Sequence, residues 1–166
     1  MRTFLSIFAS IAIILGVAGT ASAQLPSIQV KDLNGKTVDT ATLSNEGNPF
    51  LISFFATWCK PCLRELKAIH ELYPDWQEET GMKMYIVSID EAQNTHKVKP
   101  LVDAEGWDYE VLLDANGDFY RSLGIQGVPH MLILDGNGQI VESHSGYTDG
   151  AEHDIIKKLR SLKTAE

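Results

Sequence analysis

Residues 49–55 read Pro-Phe-Leu-Ile-Ser-Phe-Phe, and the chain then runs almost at once into Trp58-Cys59-Lys60-Pro61-Cys62. An apolar run of strand length without polar alternation marks a central strand covered on both faces, because a half-exposed strand alternates. Helical periodicity begins at Cys59, so strand hands over to helix with hardly any connection. That junction places both cysteines at the carboxyl end of a strand and the amino end of a helix, where α/β proteins gather their chemistry.

Cys59 and Cys62 are the only cysteines in the chain. A disulfide between them closes so short a loop that it contributes roughly 2 kcal/mol, against about 3 for a fifteen-residue loop. The pair is a weak staple and is better suited to opening and closing. A thiol attacks a disulfide as thiolate, and an ordinary cysteine with pKa about 8.5 is mostly protonated at neutral pH. Lowering that value to about 7 takes roughly 2 kcal/mol of extra anion stabilisation. A helix N-terminus supplies a good part of it, and Lys60 adds a neighbouring cation. Cys59, exposed at the helix start, is therefore expected to be the nucleophile, and Cys62, one turn deeper, the resolving cysteine.

One charge on this helix is out of place. At about 100° per residue, Leu66, Ile69, Leu72 and Tyr73 form one stripe with Cys62, and Glu65 falls inside it. Arg64, Lys67 and Glu71 fall on the opposite side. A carboxyl group on the core face should have a raised pKa from desolvation, and at three residues from Cys62 it can reach that thiol's surroundings. Glu65 is thus a candidate proton acceptor and donor for Cys62.

The remaining pattern fits one domain over residues 24–166. A hairpin is expected around Asn34-Gly35, with helical periodicity to Tyr73 stopped or kinked by Pro74. A buried strand follows over 84–89, then a helix over 91–105 interrupted near Pro100, and a short strand over 109–113. The oxygen-rich segment 114–118 lacks the glutamate that closes a calcium loop, so a turn and helix cap are expected. A second hairpin is expected around residues 135–138, and a last helix carries Ile155, Ile156, Leu159 and Leu162, with Asp149 and Glu152 spaced as a capping box. The sum is an α/β fold with a mixed central sheet covered by helices on both faces.

Residues 1–23 have the form of a signal peptide: Arg2, an apolar stretch over 4–18, and Ala21-Ser22-Ala23 as a cleavage site. If uncleaved, residues 4–23 anchor the chain in a membrane. Cleavage before Gln24 takes the net charge from −8 to −9, which argues against nucleic acid as a partner.

The segment Phe54-Phe55-Ala56-Thr57-Trp58-Cys59-Lys60-Pro61-Cys62-Leu63-Arg64-Glu65-Leu66 resembles the active site of the thioredoxin superfamily. It is most similar to the extracytoplasmic TlpA/ResA/DsbE branch, in which a glutamate follows the second cysteine by three residues. Residues 32–38 resemble that branch's N-terminal hairpin, 91–105 its helical insert, and Gly127-Val128-Pro129-His130 its loop with a cis-proline facing the disulfide. The resemblance implies a thioredoxin-like fold, a cis Pro129 beside which Val128 pairs with an incoming peptide as an added strand, and Trp58 packed beside the cysteines, with Lys60 and Pro61 inside the motif. It also implies an extracytoplasmic, or periplasmic, protein that receives electrons from a membrane thiol donor and reduces protein disulfides, apocytochrome c among them. No cofactor is expected, and the protein is expected to be a monomer. Two positions depart from the family pattern. Ser53 stands where cytosolic thioredoxins bury an aspartate, leaving Glu65 as the nearby carboxylate, and Lys67 replaces a common proline, which predicts a straighter helix up to Pro74.

Three other readings remain open. An oxidising compartment and Lys60, which favours the reduced form, allow a disulfide oxidase. A Cys-x-x-Cys pair is half of a metal site, so a copper or zinc chaperone is the strongest rival of another class, although His70, His96, His130, His144 and His153 lack second-pair spacing. His130 is the one that the fold could bring near the cysteines. A thiol peroxidase is less well matched, since Thr57-Trp58 does not reproduce a threonine-plus-arginine peroxide pocket.

Overall fold

The computed structural model describes residues 23–163. In chain order its elements are β1 (Ala23–Gln24), β2 (Gln29–Asp32), β3 (Thr37–Asp39), β4 (Phe50–Phe55), α1 (Lys60–Thr80), β5 (Lys83–Ser88), α2 (Val98–Glu105), β6 (Glu110–Leu113), α3 (Asp118–Ser122), β7 (His130–Leu134), β8 (Gln139–Ser145) and α4 (Glu152–Lys163). The signal segment or anchor expected over residues 1–23 lies, but for Ala23, outside the described residues. Among the described residues no helix is long and apolar enough to cross a membrane.

The strands form one mixed sheet in the order β1-β8-β7-β4-β5-β6-β2-β3. β4, β5 and β6 run parallel, as strands joined by helical crossovers must. β7 returns antiparallel on the other side of β4, and the hairpin of β2 and β3 adds antiparallel to β6. β4 lies inside the sheet, and all six of its residues are buried, as the unbroken apolar run requires. Leu51 and Phe55 enter a core with residues of α1, α2 and α4. Phe50, Ile52 and Phe54 enter a second core with Phe119 of α3 and residues of the N-terminal segment such as Val30 and Leu43. The heavier cover is on the α1 face. Asp114 caps the start of α3 by accepting from Phe119 N at 3.3 Å and Tyr120 N at 2.9 Å, as expected.

Two local expectations are corrected, and a third, that Pro74 stops or kinks α1, is narrowed. The helix does not stop at Pro74 but passes through it to Thr80, ending at Gly81 with φ +67°. Trp76 and Thr80 are both buried, and tertiary burial outweighs the hydrogen bond that proline removes. The helix expected over 91–105 begins only at Val98, where Pro100 sits in the first turn and its missing N–H costs nothing. The capping box at α4 is not formed. An extra turn closed by Ala151 N and Thr148 O puts Gly150 N, not Asp149 N, 3.1 Å from the Glu152 carboxylate. Asp149 pairs instead with Arg64 at 3.7 Å.

Because Pro74 is an exposed proline in a helix interior, Pro74→Ala is expected to stabilise the protein by about 2 kcal/mol, net of the lost stiffening of the unfolded chain. Urea unfolding measures this directly. An unchanged or lowered midpoint would contradict an α1 that runs intact through residue 74.

Candidate active site

β4 delivers the chain to α1 through a tight turn over residues 56–59, closed by Cys59 N donating to Ala56 O at 3.0 Å. Cys59 is the N-cap of α1, with Lys60, Pro61 and Cys62 as the first three helical residues, so the proline falls where a helix needs no N–H. Cys59 and Cys62 are bridged, with Cα atoms 5.3 Å apart. The Cys59 sulfur also accepts the Cys62 amide at 3.3 Å, as a capping side chain does. A sulfur held this way already occupies the place where a thiolate gains from the helix terminus.

The expected exposure of Cys59 is corrected. In the disulfide form Cys59 is 4% exposed and Cys62 fully buried, because the capping geometry folds the Cys59 sulfur back over the first turn. Trp58, next to Cys59 in the 56–59 turn, stands 67% exposed, a large hydrophobic side chain left in solvent.

Glu65 is where the stripe places it, 3% exposed. Its one hydrogen bond comes from Ser53, in the middle of β4, whose Oγ donates to Oε2 at 3.0 Å. Burial pushes the Glu65 carboxyl up to about 7, and the Ser53 hydroxyl, which favours the ionised form, holds it from going higher. Sequence reasoning saw Ser53 only as a missing aspartate. Its partner on α1 could have been found by noting that β4 and α1 must face each other with Ser53 and Glu65 both on the inner side.

The Val128–Pro129 peptide is cis, as the resemblance implies. The pairing of Phe54 with His130 places these two residues beside the end of β4, next to the turn that carries the cysteines. Pro129 is buried and its carbonyl accepts Gly146 N at 2.8 Å. Val128 lies outside both neighbouring ladders. Lys60 is exposed and Pro61 half-buried.

His130 does not approach the cysteines. Met131 points into the core that holds Cys59 and Cys62, so His130, one residue earlier, points to the other face of the sheet. Both of its ring nitrogens are engaged, with Ser143 and Ser145 at 2.9 Å each. Burial and the nearby His144 lower its pKa. The approach that would have completed a metal site from His130 is thus not made.

Sequence reasoning missed Asp90. It lies two residues beyond the end of β5, is 1% exposed, and accepts from Thr57 N at 2.8 Å, Thr57 Oγ1 at 2.7 Å and Ser88 Oγ at 2.8 Å. The available signal was a lone aspartate at the carboxyl end of a strand that must neighbour β4.

The AhpC/TSA family model matches residues 21–143. The thiol-disulfide oxidoreductase ResA of Bacillus anthracis is 30% identical over 123 residues, which are 74% of this chain and 68% of that protein. The solution structure of an uncharacterized thioredoxin-like protein from Porphyromonas gingivalis is 59% identical with a TM-score of 0.78, covering 86% of this chain and 94% of that one. StoA from Bacillus subtilis is 20% identical with a TM-score of 0.62, over 80% of this chain and 97% of that one, and shares the fold. The thioredoxin-like fold and the kinship with ResA are both as the sequence implied.

The raised Glu65 carboxyl has a stability consequence of definite sign. The folded state keeps its proton up to about pH 7, whereas an unfolded chain loses it near 4.5. The associated stability is full below about 4.5 and lost as pH rises through about 7, a total near 3 kcal/mol. Glu65→Gln should remove this slope and leave the disulfide form more stable than the parent at pH 8, as urea unfolding at pH 4 and 8 would show. Ser53→Ala should move the Glu65 pKa further up, read from the carboxyl band in infrared spectra. A downward shift would mean that the hydroxyl is not its partner.

Proposed function

The chain belongs to the AhpC/TSA family, and from that membership and its cysteine site we propose that it is a thiol:disulfide oxidoreductase acting as a reductase of protein disulfides outside the cytoplasm. The observation that carries the reading is a carboxyl group held buried one turn beyond Cys62, with a pKa near neutrality. A merely structural disulfide needs no such group.

In the reduced protein, the Cys59 thiolate attacks one sulfur of a client disulfide, forming a mixed disulfide and releasing one client thiolate. Cys62 loses its proton to Glu65 and attacks the Cys59 sulfur. The second client sulfur leaves, so the client gains two electrons and the enzyme becomes the bridged form. A membrane thiol donor then reverses the oxidation, with Glu65 returning the proton to Cys62. Exposed Trp58 and the unpaired Val128 main chain flank the site and suit a client that adds as an extended strand. The clients are protein disulfides outside the cytoplasm, apocytochrome c among them. The acting protein is the domain over 24–166, a monomer freed by cleavage after Ala23.

A peroxidase reading is less well supported, because the Thr57 hydroxyl is spent on Asp90 at 2.7 Å and is not free to bind peroxide. Direction is tested by redox titration of the Cys59/Cys62 couple. A potential of about −200 to −270 mV is expected for a reductase, and one near −120 mV would assign the protein to disulfide formation instead. Cys62→Ser should trap the mixed disulfide with a model client, whereas Cys59→Ser should form none.

A further inference from the structure

We propose that Asp90 is a positioning residue for the attacking cysteine: by gripping Thr57 it fixes the turn that sets the Cys59 sulfur at the start of α1. The inference rests on the oxidoreductase reading for its purpose, though not for its geometry.

Phe55 and Ser88 pair across β4 and β5, and Ile89 N donates to Phe55 O at 2.9 Å, so the two chains leave the sheet side by side. Asp90 comes next, and it faces the turn. One carboxylate oxygen takes the Thr57 hydroxyl, and the other takes the Thr57 amide and the Ser88 hydroxyl. The Asp90 amide in turn donates to Ser88 Oγ at 3.1 Å, so Ser88 braces the aspartate from behind.

Burying a carboxylate is costly unless its lone pairs are satisfied, and here three donors converge on it. Bonds to an ionised acceptor are about twice as strong as neutral ones. Spent on the main chain and the side chain of the same residue, they hold Thr57 in both position and rotation. The turn has otherwise a single internal bond, from Cys59 N to Ala56 O. Trp58, between the gripped residue and the cysteine, is exposed and lends the turn little packing. The location of the Cys59 sulfur, and with it the bond from Cys62 N at 3.3 Å, therefore depends on Thr57 staying where Asp90 holds it. When the disulfide is open, the covalent tie to Cys62 is gone and this dependence is greatest.

The test follows Cys59 alkylation by iodoacetamide against pH in the reduced protein, together with the rate of exchange with a model protein disulfide. Thr57→Val keeps the branched shape and removes the hydroxyl, and Asp90→Ala removes the whole grip. Both should slow exchange, roughly tenfold for the loss of about 1.4 kcal/mol of positioning, and Thr57→Val, which leaves the Asp90 charge in place, should also raise the pH midpoint of alkylation. Thr57→Ser, which keeps the donor, should restore both. If Asp90→Ala does not fold, Thr57→Val decides. Variants that melt at lower temperature yet keep the parent midpoint and rate would overturn the proposal and leave Asp90 a structural residue. Alkylation needs no client, so a parent protein that fails to reduce disulfides would strike the oxidoreductase reading while the midpoint still judges Asp90.

Discussion

A carboxyl group buried on the core face of α1, one turn beyond Cys62, needs a polar partner, and the Ser53 hydroxyl at 3.0 Å is the one that Glu65 finds. The contact links the middle of β4 to the second turn of α1, so strand, helix and cysteines share one registration. Leu51 and Phe55 flank Ser53 on the same side of the strand, and Cys62, Leu66 and Ile69 flank Glu65 on the helix. A shift of the helix by one residue would leave a buried carboxylate facing apolar side chains, at a cost of several kcal/mol. The polar pair thereby discourages slippage that the apolar contacts alone would tolerate. A single hydroxyl is also too little to keep the group fully ionised, which is why its pKa rests near 7 and not in the usual carboxylate range.

The second constraint is the brevity of the link between β4 and α1. Four residues must turn the chain from the sheet onto its face, and each takes a distinct direction. Ala56 stays in the core, Thr57 turns to Asp90, Trp58 is left in solvent and Cys59 caps the helix. The neighbouring cis peptide at Val128–Pro129 lies at the same end of the sheet because β7 pairs antiparallel with β4. The groups of the proposed reaction and of the turn that positions Cys59 thus come from the ends of three adjoining strands, β4, β5 and β7, and the first two turns of α1.

Much of this was legible in the chain because period and spacing carry it. The unbroken apolar run of β4 announced a doubly covered strand, and the angular position of Glu65 among Leu66, Ile69 and Tyr73 announced a buried carboxyl. The mixed sheet covered on both faces followed from the same patterns, and the thioredoxin-like fold from the resemblance carried by residues 54–66. Other features depend on partners remote in sequence. Asp90 lies 33 positions from Thr57, and no local periodicity links them. The burial of Cys59 and the exposure of Trp58 are set by the closure of one turn, to which propensity is blind. Pro74 fails to stop α1 for a similar reason: its local cost is real, but Trp76 and Thr80 beyond it have a core to enter. Asp149 had the right spacing for a cap and the wrong backbone path.

The proton and electron movements proposed for the site follow from how much charge it can hold. Reducing the disulfide adds two electrons to a pair of sulfurs that are almost wholly buried. The helix terminus can stabilise one thiolate, at Cys59, where an amide already points at the sulfur. It cannot equally stabilise a second at Cys62 with an ionised Glu65 one turn away, since like charges at such range in a low dielectric repel strongly. The buried pair of Cys62 and Glu65 therefore favours a single negative charge between them, and the proton resides on one or the other. In the proposed reaction, Glu65 holds the proton when Cys62 attacks and gives it back when Cys62 leaves. A carboxyl with an ordinary pKa would have no proton to return at neutral pH, and one raised further, without the Ser53 hydroxyl, would already hold a proton and could not take that of Cys62. The pKa near 7 in the bridged form suits the proposed proton exchange from both sides.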